Sequence, residues 1–139
     1  MKFHEDDRAQ RLIDIFPDTV KQVNVSYVPP TGSVIFGHWH KKQTDYWCVI
    51  KGGPLKVITA EIYGGTDNEP FSRPPKTTYL SDKNIKVFEI KPKIIHGYKN
   101  CSNTEIILLY GLTEQYDESD HYYVPWYYSG MDIWKTKNK

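Results

Sequence analysis

Cysteine is scarce in this sequence, and neither sign of charge dominates. Cys48 and Cys101 are the only two cysteines and neither lies in a C-x-x-C pair, so the spacing of a zinc ribbon or a thiol redox motif is missing. We expect two reduced thiols with Cys48 in the core, and a structural disulfide is the alternative. Lys and Arg number 18 against 17 Asp and Glu, for a net charge of +1. This balance predicts neither nucleic acid nor an acidic membrane as a partner.

Long apolar runs are also missing. No stretch approaches the ~20 residues that a membrane-spanning helix needs. Residues 1–10 lack the apolar segment of a secretory signal, so we expect a cytoplasmic protein. A length of 139 residues without repeats or linkers predicts one domain, residues 1–139. We expect its core at about residues 20–113 and a C-terminal tail at residues 114–139.

The sequence does contain many short strand patterns separated by turn residues. From Lys21 to Tyr27, apolar and polar residues alternate, which is typical of a half-buried strand. The first 19 residues predict an edge strand or a helical turn that ends at Pro17. No helical pattern longer than a turn or two occurs before residue 113, so an all-β sandwich or barrel is expected. Further strands are predicted at Gly32–His40, Asp45–Ile50 and Leu55–Tyr63 (the last two as a hairpin), and at Thr77–Leu80, Lys86–Ile90, Ile94–Tyr98 and Glu105–Leu112.

Two histidines lie two residues apart on one of these strands. Because side chains alternate across a strand, His38 and His40 should point to the same face. Asp45 follows five residues after His40, and His96 lies in a later strand. The expected result is three imidazoles and a carboxylate inside one small barrel.

The spacing of these residues resembles the two motifs of the cupin superfamily. From Gly32 to Gly52 the pattern is G-x5-H-x-H-x4-D-x6-G, with Asp45 where the family usually has Glu. His96 and Asn100 give the H-x3-N half of the second motif, which lacks its usual glycine. The resemblance implies a double-stranded β-helix, or jelly-roll barrel.

Within this superfamily, the chain is similar to nucleotide-sugar epimerases related to dTDP-4-dehydrorhamnose 3,5-epimerase, over roughly residues 5 to 134. Ile35–His38 matches the R-G-x-H segment that carries the general base, and His96–Tyr98 matches H-G-Y. Tyr110 and Tyr116 match Y-x5-Y. The resemblance implies a dTDP-linked or similar sugar substrate in polysaccharide biosynthesis, no cofactor, and a homodimer.

The chemistry of a 4-keto sugar explains why such residues are needed. C–H bonds beside the ketone are acidic, and a neutral histidine with a pKa near its ordinary value of ~6.5 can remove a proton there. His38 is the expected base, and Tyr110 the expected acid or donor that returns a proton on the other face. For Tyr116 to reach the same site, the chain must bend near Thr113. The resemblance implies that Arg8 binds the nucleotide diphosphate. The other expected substrate-binding residues are His40, Gln43, Asp45, His96 and Tyr116.

Departures from the family pattern leave alternatives open. Ile35 replaces the phosphate-binding arginine of the epimerases, and Asp45 stands where the epimerases, unlike most cupins, have a lysine. Tyrosines replace the acidic residue that the epimerases have behind the base, and Asp45 could take over that role. A single epimerisation, a ketoisomerisation and non-catalytic sugar binding all fit. So does a metal-dependent cupin, a dioxygenase or an isomerase, because His38, His40, Asp45 and His96 suit Zn, Fe, Mn or Ni. The aromatic tail is expected to pack on the barrel or on a partner subunit.

Overall fold

The computed structural model describes residues 1–61 and 74–123. The end of the predicted strand Leu55–Tyr63 and the tail from residue 124 onward therefore lie outside the described residues. Within the described part there are eleven strands and one 3₁₀-helix: β1 (Lys2–Glu5), β2 (Gln10–Ile13), β3 (Gln22–Val28), β4 (Ser33–Trp39), β5 (Asp45–Lys51), β6 (Leu55–Glu61), β7 (Lys76–Leu80), β8 (Phe88–Ile90), β9 (Ile94–Asn100), β10 (Ile106–Leu112), the 3₁₀-helix (Glu118–Asp120) and β11 (Tyr122–Tyr123).

Two antiparallel sheets form the body of the molecule. One has the strand order β3-β10-β5-β8 and the other β11-β4-β9-β6-β7. Both sheets contribute to a single buried cluster, so their inner faces pack against each other. This arrangement confirms the all-β jelly-roll expectation. The cluster contains Val28, Trp47, Val49, Leu55, Val57, Leu80, Ile90, Ile106 and Leu108.

The connection between β5 and β6 differs from the predicted hairpin. The two strands belong to different sheets: β5 pairs with β8 and β10, whereas β6 pairs with β7 and β9. Gly52 and Gly53 have φ values of 85° and 120°, a region that favours glycine. A Cβ on Gly53 would lie 2.6 Å from the Cβ of Ser81. The hairpin prediction is wrong because these glycines turn the chain from one sheet to the other.

The N-terminal segment forms a hairpin of its own. β1 pairs with β2, and the carboxylate of Asp6 closes the turn by accepting from the N–H groups of Arg8 (2.9 Å) and Ala9 (3.3 Å). Among the described residues, this hairpin is a separate two-stranded sheet. The segment is therefore a pair of strands rather than a helical turn.

Strand β3 alternates as predicted, but its apolar face is the outer one. Val23, Val25 and Tyr27 are 54%, 47% and 65% exposed. Asn24 and Ser26 point the other way and line an internal cavity. The polar face is inside because at this end of the barrel it borders a cavity instead of packed core.

Two smaller expectations are also resolved. Cys48 is fully buried, and it and Cys101 are both free thiols, so the core interpretation of Cys48 is confirmed. In the part of the chain that the structure describes, no helix is long and apolar enough to cross a membrane.

Candidate active site

A cavity of about 250 Å³ opens between the two sheets. The five-stranded sheet supplies His38 from β4 and Tyr98 from β9, and the four-stranded sheet supplies Asp45 and Trp47 from β5. The lining side chains therefore come from both sheets, as a substrate site between two faces requires. The full lining is Asn24, Ser26, His38, His40, Gln43, Asp45, Trp47, Tyr98, Leu108, Tyr110, Leu112, Tyr116 and His121.

Three histidines converge at this cavity. His38, His40 and His96 each offer a ring nitrogen, and these three atoms lie within 4.8 Å of one another. The ring centroids of His38 and His96 are 4.5 Å apart across the β4–β9 pair. The structure thus brings together the three histidines that the sequence analysis expected in one site.

Gly37 allows β4 to deliver His38 to this position. The β4–β9 register shifts between Val34 and His38, and Gly37 has a φ of 39°. A Cβ on Gly37 would collide with the main-chain carbonyl of His96. Close backbone approach and a left-handed φ both require glycine here.

Hydrogen bonds to main-chain carbonyls fix the tautomers of His40 and His96. Nδ1 of His40 lies 3.0 Å from the carbonyl oxygen of Asp120, and Nδ1 of His96 lies 2.9 Å from that of Ile94. A carbonyl oxygen only accepts, so each Nδ1 carries the hydrogen. Each Nε2 is therefore unprotonated: that of His40 faces the side-chain amide nitrogen of Gln43 at 3.3 Å, and that of His96 is buried beside the cavity.

Asp45 lies beside both of these Nε2 atoms. Its Oδ2 is 3.7 Å from Nε2 of His96, and its Oδ1 is 4.0 Å from Nε2 of His40. The side-chain amide of Gln43 donates to Oδ1 at 2.6 Å, and the indole N–H of Trp47 donates to Oδ2 at 3.2 Å. Asp45 points inward and is buried, with its charge held by two N–H donors.

Nε2 of His96 is the exception in this network. It is buried, and among the described residues it has no hydrogen-bond partner. Its lone pair faces a carboxylate oxygen, so two acceptors are adjacent without a hydrogen between them. Buried polar atoms are normally satisfied, and an unsatisfied one suggests a ligand, ion or proton that belongs there.

Burial also controls the charge of the cluster. The pKa of His38 is lowered to about 3 by burial and then by the neighbouring His96 and His40, against an opposing effect of Asp45. Burial lowers the pKa of His96 to about 4, although its bond to the Ile94 carbonyl opposes the shift. Both imidazoles are therefore neutral near pH 7. His38 is a weaker base than the ordinary histidine that the sequence suggested.

The two predicted tyrosines lie at the same cavity. Tyr110 is half-buried on β10, and Tyr116 is 67% exposed at the cavity edge. The expected bend lies between them, just after β10 ends. There the N–H of Thr113 donates to the carbonyl of Thr44 at 3.1 Å, and the N–H of Thr44 donates to the hydroxyl oxygen of Thr113 at 2.9 Å. Tyr98 lies nearby, and burial followed by the effect of Tyr110 raises its pKa.

Arg8 lies elsewhere within this chain. It belongs to the exposed β1–β2 turn, where its guanidinium pairs with Asp6 at 2.8 Å. Arg11 makes a second ion pair with the same carboxylate at 3.1 Å. Arg8 does not line the cavity of its own chain.

The first part of the tail forms a strap at residues 117–121 that crosses the site, in agreement with the expectation that the tail packs on the barrel, but sequence reasoning did not identify the site residues on it. Asp120 is buried on it, and His121 contacts the histidine cluster, with its ring centroid 4.5 Å from that of His40. Nδ1 of His121 lies 2.9 Å from the Asp117 carbonyl, so this imidazole is also oriented. Neither residue has a motif spacing that could have revealed it. Asn24 and Ser26 did have a signal, because they form the polar face of an alternating strand.

The donor set of the cluster fits a divalent metal. His38, His40 and His96 would supply nitrogen, and Asp45 would supply oxygen. Metal-binding histidines usually donate their other ring N–H to a carbonyl or carboxylate, as His40 and His96 do. The unsatisfied Nε2 of His96 is a further point of agreement.

Two facing antiparallel sheets with histidines converging between them define a cupin-type barrel. Solved structures agree with this fold. A dTDP-6-deoxy-D-glucose-3,5-epimerase, RmlC, from Legionella pneumophila Philadelphia 1, in complex with dTDP-4-keto-L-rhamnose, superposes with a TM-score of 0.71 and 18% identity. The match covers 90% of this chain and 70% of that one.

Two further relatives are named for polysaccharide assembly or biosynthesis. The capsular polysaccharide assembling protein CapF from Staphylococcus aureus matches with a TM-score of 0.62 and 23% identity, over 88% of this chain and 34% of CapF. The spore coat polysaccharide biosynthesis protein SpsL of Bacillus subtilis (strain 168) is 25% identical over 91 residues, which are 64% of this chain and 58% of SpsL. This chain thus spans about a third of CapF and less than two thirds of SpsL. No family model matches it.

Proposed function

We propose that this chain is a nucleotide-sugar epimerase or isomerase. Its substrate would be a dTDP-linked or similar 4-keto-6-deoxysugar, and the reaction would begin with removal of a proton beside the ketone. The observation that carries this proposal is the placement of His38 and Tyr110 on facing sheets around one cavity. A sugar ring between the sheets would have an imidazole on one side and a phenol on the other.

The geometry supports a mechanism in three steps. His38 is neutral near pH 7, so it can accept a proton from the carbon next to the ketone. The electron pair of the broken C–H bond forms a carbon–carbon double bond, and the carbonyl π pair moves to oxygen to give an enolate, whose oxygen needs a hydrogen-bond donor. Tyr110 then donates its hydroxyl proton to carbon from the other side. Return of a proton to the same carbon with inversion is epimerisation. If the deprotonated carbon carries a hydroxyl whose proton passes to the enolate oxygen, protonation of the former carbonyl carbon moves the ketone by one position, which is isomerisation.

The comparisons support the substrate class. The Legionella epimerase contains a dTDP-4-keto sugar in a barrel of the same fold, and both CapF and SpsL are named for polysaccharide assembly or biosynthesis. Extending that chemistry to this chain is our proposal, as is the cytoplasmic location expected from the sequence.

Solvent exchange tests the proposal directly. In D₂O, the protein should catalyse the exchange of deuterium into the positions beside the ketone of a dTDP-4-keto-6-deoxyhexose. NMR measures this exchange as the loss of the proton signals at those positions. His38→Ala should reduce the exchange rate about 10²–10⁴-fold. His4→Ala is the matched control, because His4 lies in the exposed β1–β2 hairpin. Absence of exchange by the wild-type protein across dTDP-, UDP- and GDP-linked keto sugars would contradict the proposal.

A metal-dependent enzyme is the second candidate, and the unsatisfied Nε2 of His96 beside Asp45 favours it. His38, His40, Asp45 and His96 would hold the ion, which would supply Lewis-acid polarisation of a ketone oxygen. Gln43 and Trp47 would keep Asp45 in place through their N–H groups. Elemental analysis of protein purified without a metal-binding tag tests this candidate. One equivalent that is lost in His96→Ala supports it, and substoichiometric metal eliminates it.

We also propose that the chain forms a homodimer. The outer face of β3 exposes Val23, Val25 and Tyr27, three apolar side chains on one side of a single strand. Contiguous exposed apolar side chains typically mark a protein interface. A second copy is the partner that the sequence resemblance implies.

A further inference from the structure

Asp120 has no role in the proposed chemistry, yet it is one of the few buried acidic residues of the described chain. It is 7% exposed at the end of the 3₁₀-helix Glu118–Asp120. Its carboxylate accepts hydrogen bonds from three successive main-chain N–H groups, those of Lys41 (2.9 Å), Lys42 (3.2 Å) and Gln43 (3.3 Å). Successive N–H groups that converge in this way form an anion-binding nest. The carboxylate therefore holds the turn between β4 and β5.

The main-chain carbonyl of Asp120 makes a second contact with the site. It accepts from Nδ1 of His40 at 3.0 Å. Nε2 of the same ring lies 3.3 Å from the amide nitrogen of Gln43, which can only donate, so Nε2 must be the acceptor. Both ring nitrogens thus require the same tautomer, with the hydrogen on Nδ1.

Gln43 extends this chain of contacts to Asp45. Its amide nitrogen also donates to Oδ1 of Asp45 at 2.6 Å. Because a carboxylate only accepts, this bond fixes which end of the Gln43 amide faces inward. A continuous hydrogen-bonded path runs from Asp120 through His40 and Gln43 to the carboxylate beside His96.

We propose that Asp120 is a positioning residue of the active site. Its carboxylate fixes the turn that carries Gln43, and its carbonyl fixes the tautomer of His40. Together these contacts orient Asp45 without any contact between Asp120 and substrate. The kinetic part of this inference rests on the proposed epimerase or isomerase function, whereas the tautomer part does not.

The tautomer can be measured without a substrate. Nitrogen-15 NMR of the histidine rings should show hydrogen on Nδ1 of His40 in the wild-type protein. In Asp120→Asn, one oxygen acceptor becomes an N–H donor facing the nest, so His40 should become a mixture of tautomers. Asp117→Asn is the matched control: Asp117 lies on the same strap but accepts from Ser119 on the exposed side. Hydrogen on Nε2 of His40 in the wild-type protein would overturn the proposal, even if Asp120→Asn failed to fold.

Kinetics separate positioning from a purely structural role. Asp120→Asn should lower kcat about 10–100-fold with KM changed less than about threefold, while Asp117→Asn stays within about twofold of wild type. Gln43→Leu should cause a similar loss, and the double variant should lose little more than either single one. Multiplicative losses, or an unchanged kcat in folded Asp120→Asn, would overturn the proposal. If the wild-type protein exchanges no deuterium into any keto sugar, the proposed function fails, and the tautomer measurement still tests the role of Asp120.

Discussion

Nε2 of His96 lies 3.7 Å from Oδ2 of Asp45, and nothing in the described chain donates a hydrogen bond to it. The pair concentrates electron density at one side of the cavity. The carboxylate is held there by two N–H donors, the side-chain amide of Gln43 just before β5 and the indole of Trp47 on β5. The site is thus arranged to receive something positive or hydrogen-donating, such as a metal ion or the hydroxyl group of a sugar.

Removal of the Asp45 carboxylate should destabilise the protein. Asp45→Ala leaves the buried N–H groups of Gln43 and Trp47 without their acceptor, and each unsatisfied donor costs about 1–3 kcal/mol. We expect a loss of about 2–5 kcal/mol in the free energy of unfolding, measured by urea denaturation. Asp82→Ala is the control, because Asp82 accepts one exposed hydrogen bond from Gly52. A loss below about 1 kcal/mol for Asp45→Ala would show that the two donors find other partners.

Acid should destabilise the fold through the histidine cluster. The folded-state pKa values of His38 and His96, about 3 and about 4, lie below the ordinary value of 6.5. Below pH 6.5 the unfolded state therefore binds more protons than the folded state, so stability is fully present above pH 6.5 and falls as the pH drops toward 4. Urea denaturation at several pH values should show this decline. It should be shallower in His96→Gln, and an equal slope in that variant would contradict the expectation.

Much of the fold and part of the site follow from sequence patterns. Alternation and turn residues predict most of the strands, and strand geometry places His38 and His40 on the same face. That Asp45 and His96 join them was expected from the spacing that resembles the cupin motifs, because strand geometry alone does not determine which strands pair. The prediction of a β5–β6 hairpin was wrong, because a Gly-Gly-Pro turn has the same local sequence whether or not the two strands pair. Only the sheet assignment distinguishes the two cases.

The contacts that Asp120 and His121 of the strap make with the site could not be predicted, for a different reason. Asp120 acts on residues 77 to 80 positions earlier in the chain, and His121 joins the cluster only because the strap is folded across the cavity. No local period or spacing encodes such contacts. The lowered pKa of His38 was likewise unpredictable, because it depends on burial and on the neighbouring imidazoles.

A side chain at Gly37 should disrupt the site. Gly37→Ala would force an L-residue into a φ of 39° and place its Cβ against the His96 carbonyl. Such strain typically costs about 1–3 kcal/mol, and relief would require β4 to move away from β9 and take His38 with it. We expect lower stability together with lower deuterium exchange. The comparison variant is Gly32→Ala, where φ is not left-handed but a Cβ would lie 2.8 Å from Cγ1 of Val28 and 2.9 Å from Cδ of Pro29. It should also lower stability but leave deuterium exchange near the wild-type rate, because Gly32 precedes β4 and is six residues from His38. Exchange at the wild-type rate in Gly37→Ala would show that the position of His38 tolerates this shift.

The outer face of β3 should control assembly. Val25 lies at the centre of the exposed stripe between Val23 and Tyr27, and it pairs across the sheet with Leu109. Val25→Lys places a charge at the centre of the proposed dimer interface, where desolvation without a partner is costly. Light scattering after size exclusion should show a dimer for the wild-type protein and a monomer for Val25→Lys. Tyr79→Lys is the control, because Tyr79 is equally exposed on β7 of the other sheet and should leave the dimer intact. A dimer that persists in Val25→Lys would place the interface elsewhere, and a monomeric wild-type protein would leave the β3 stripe free for a different partner.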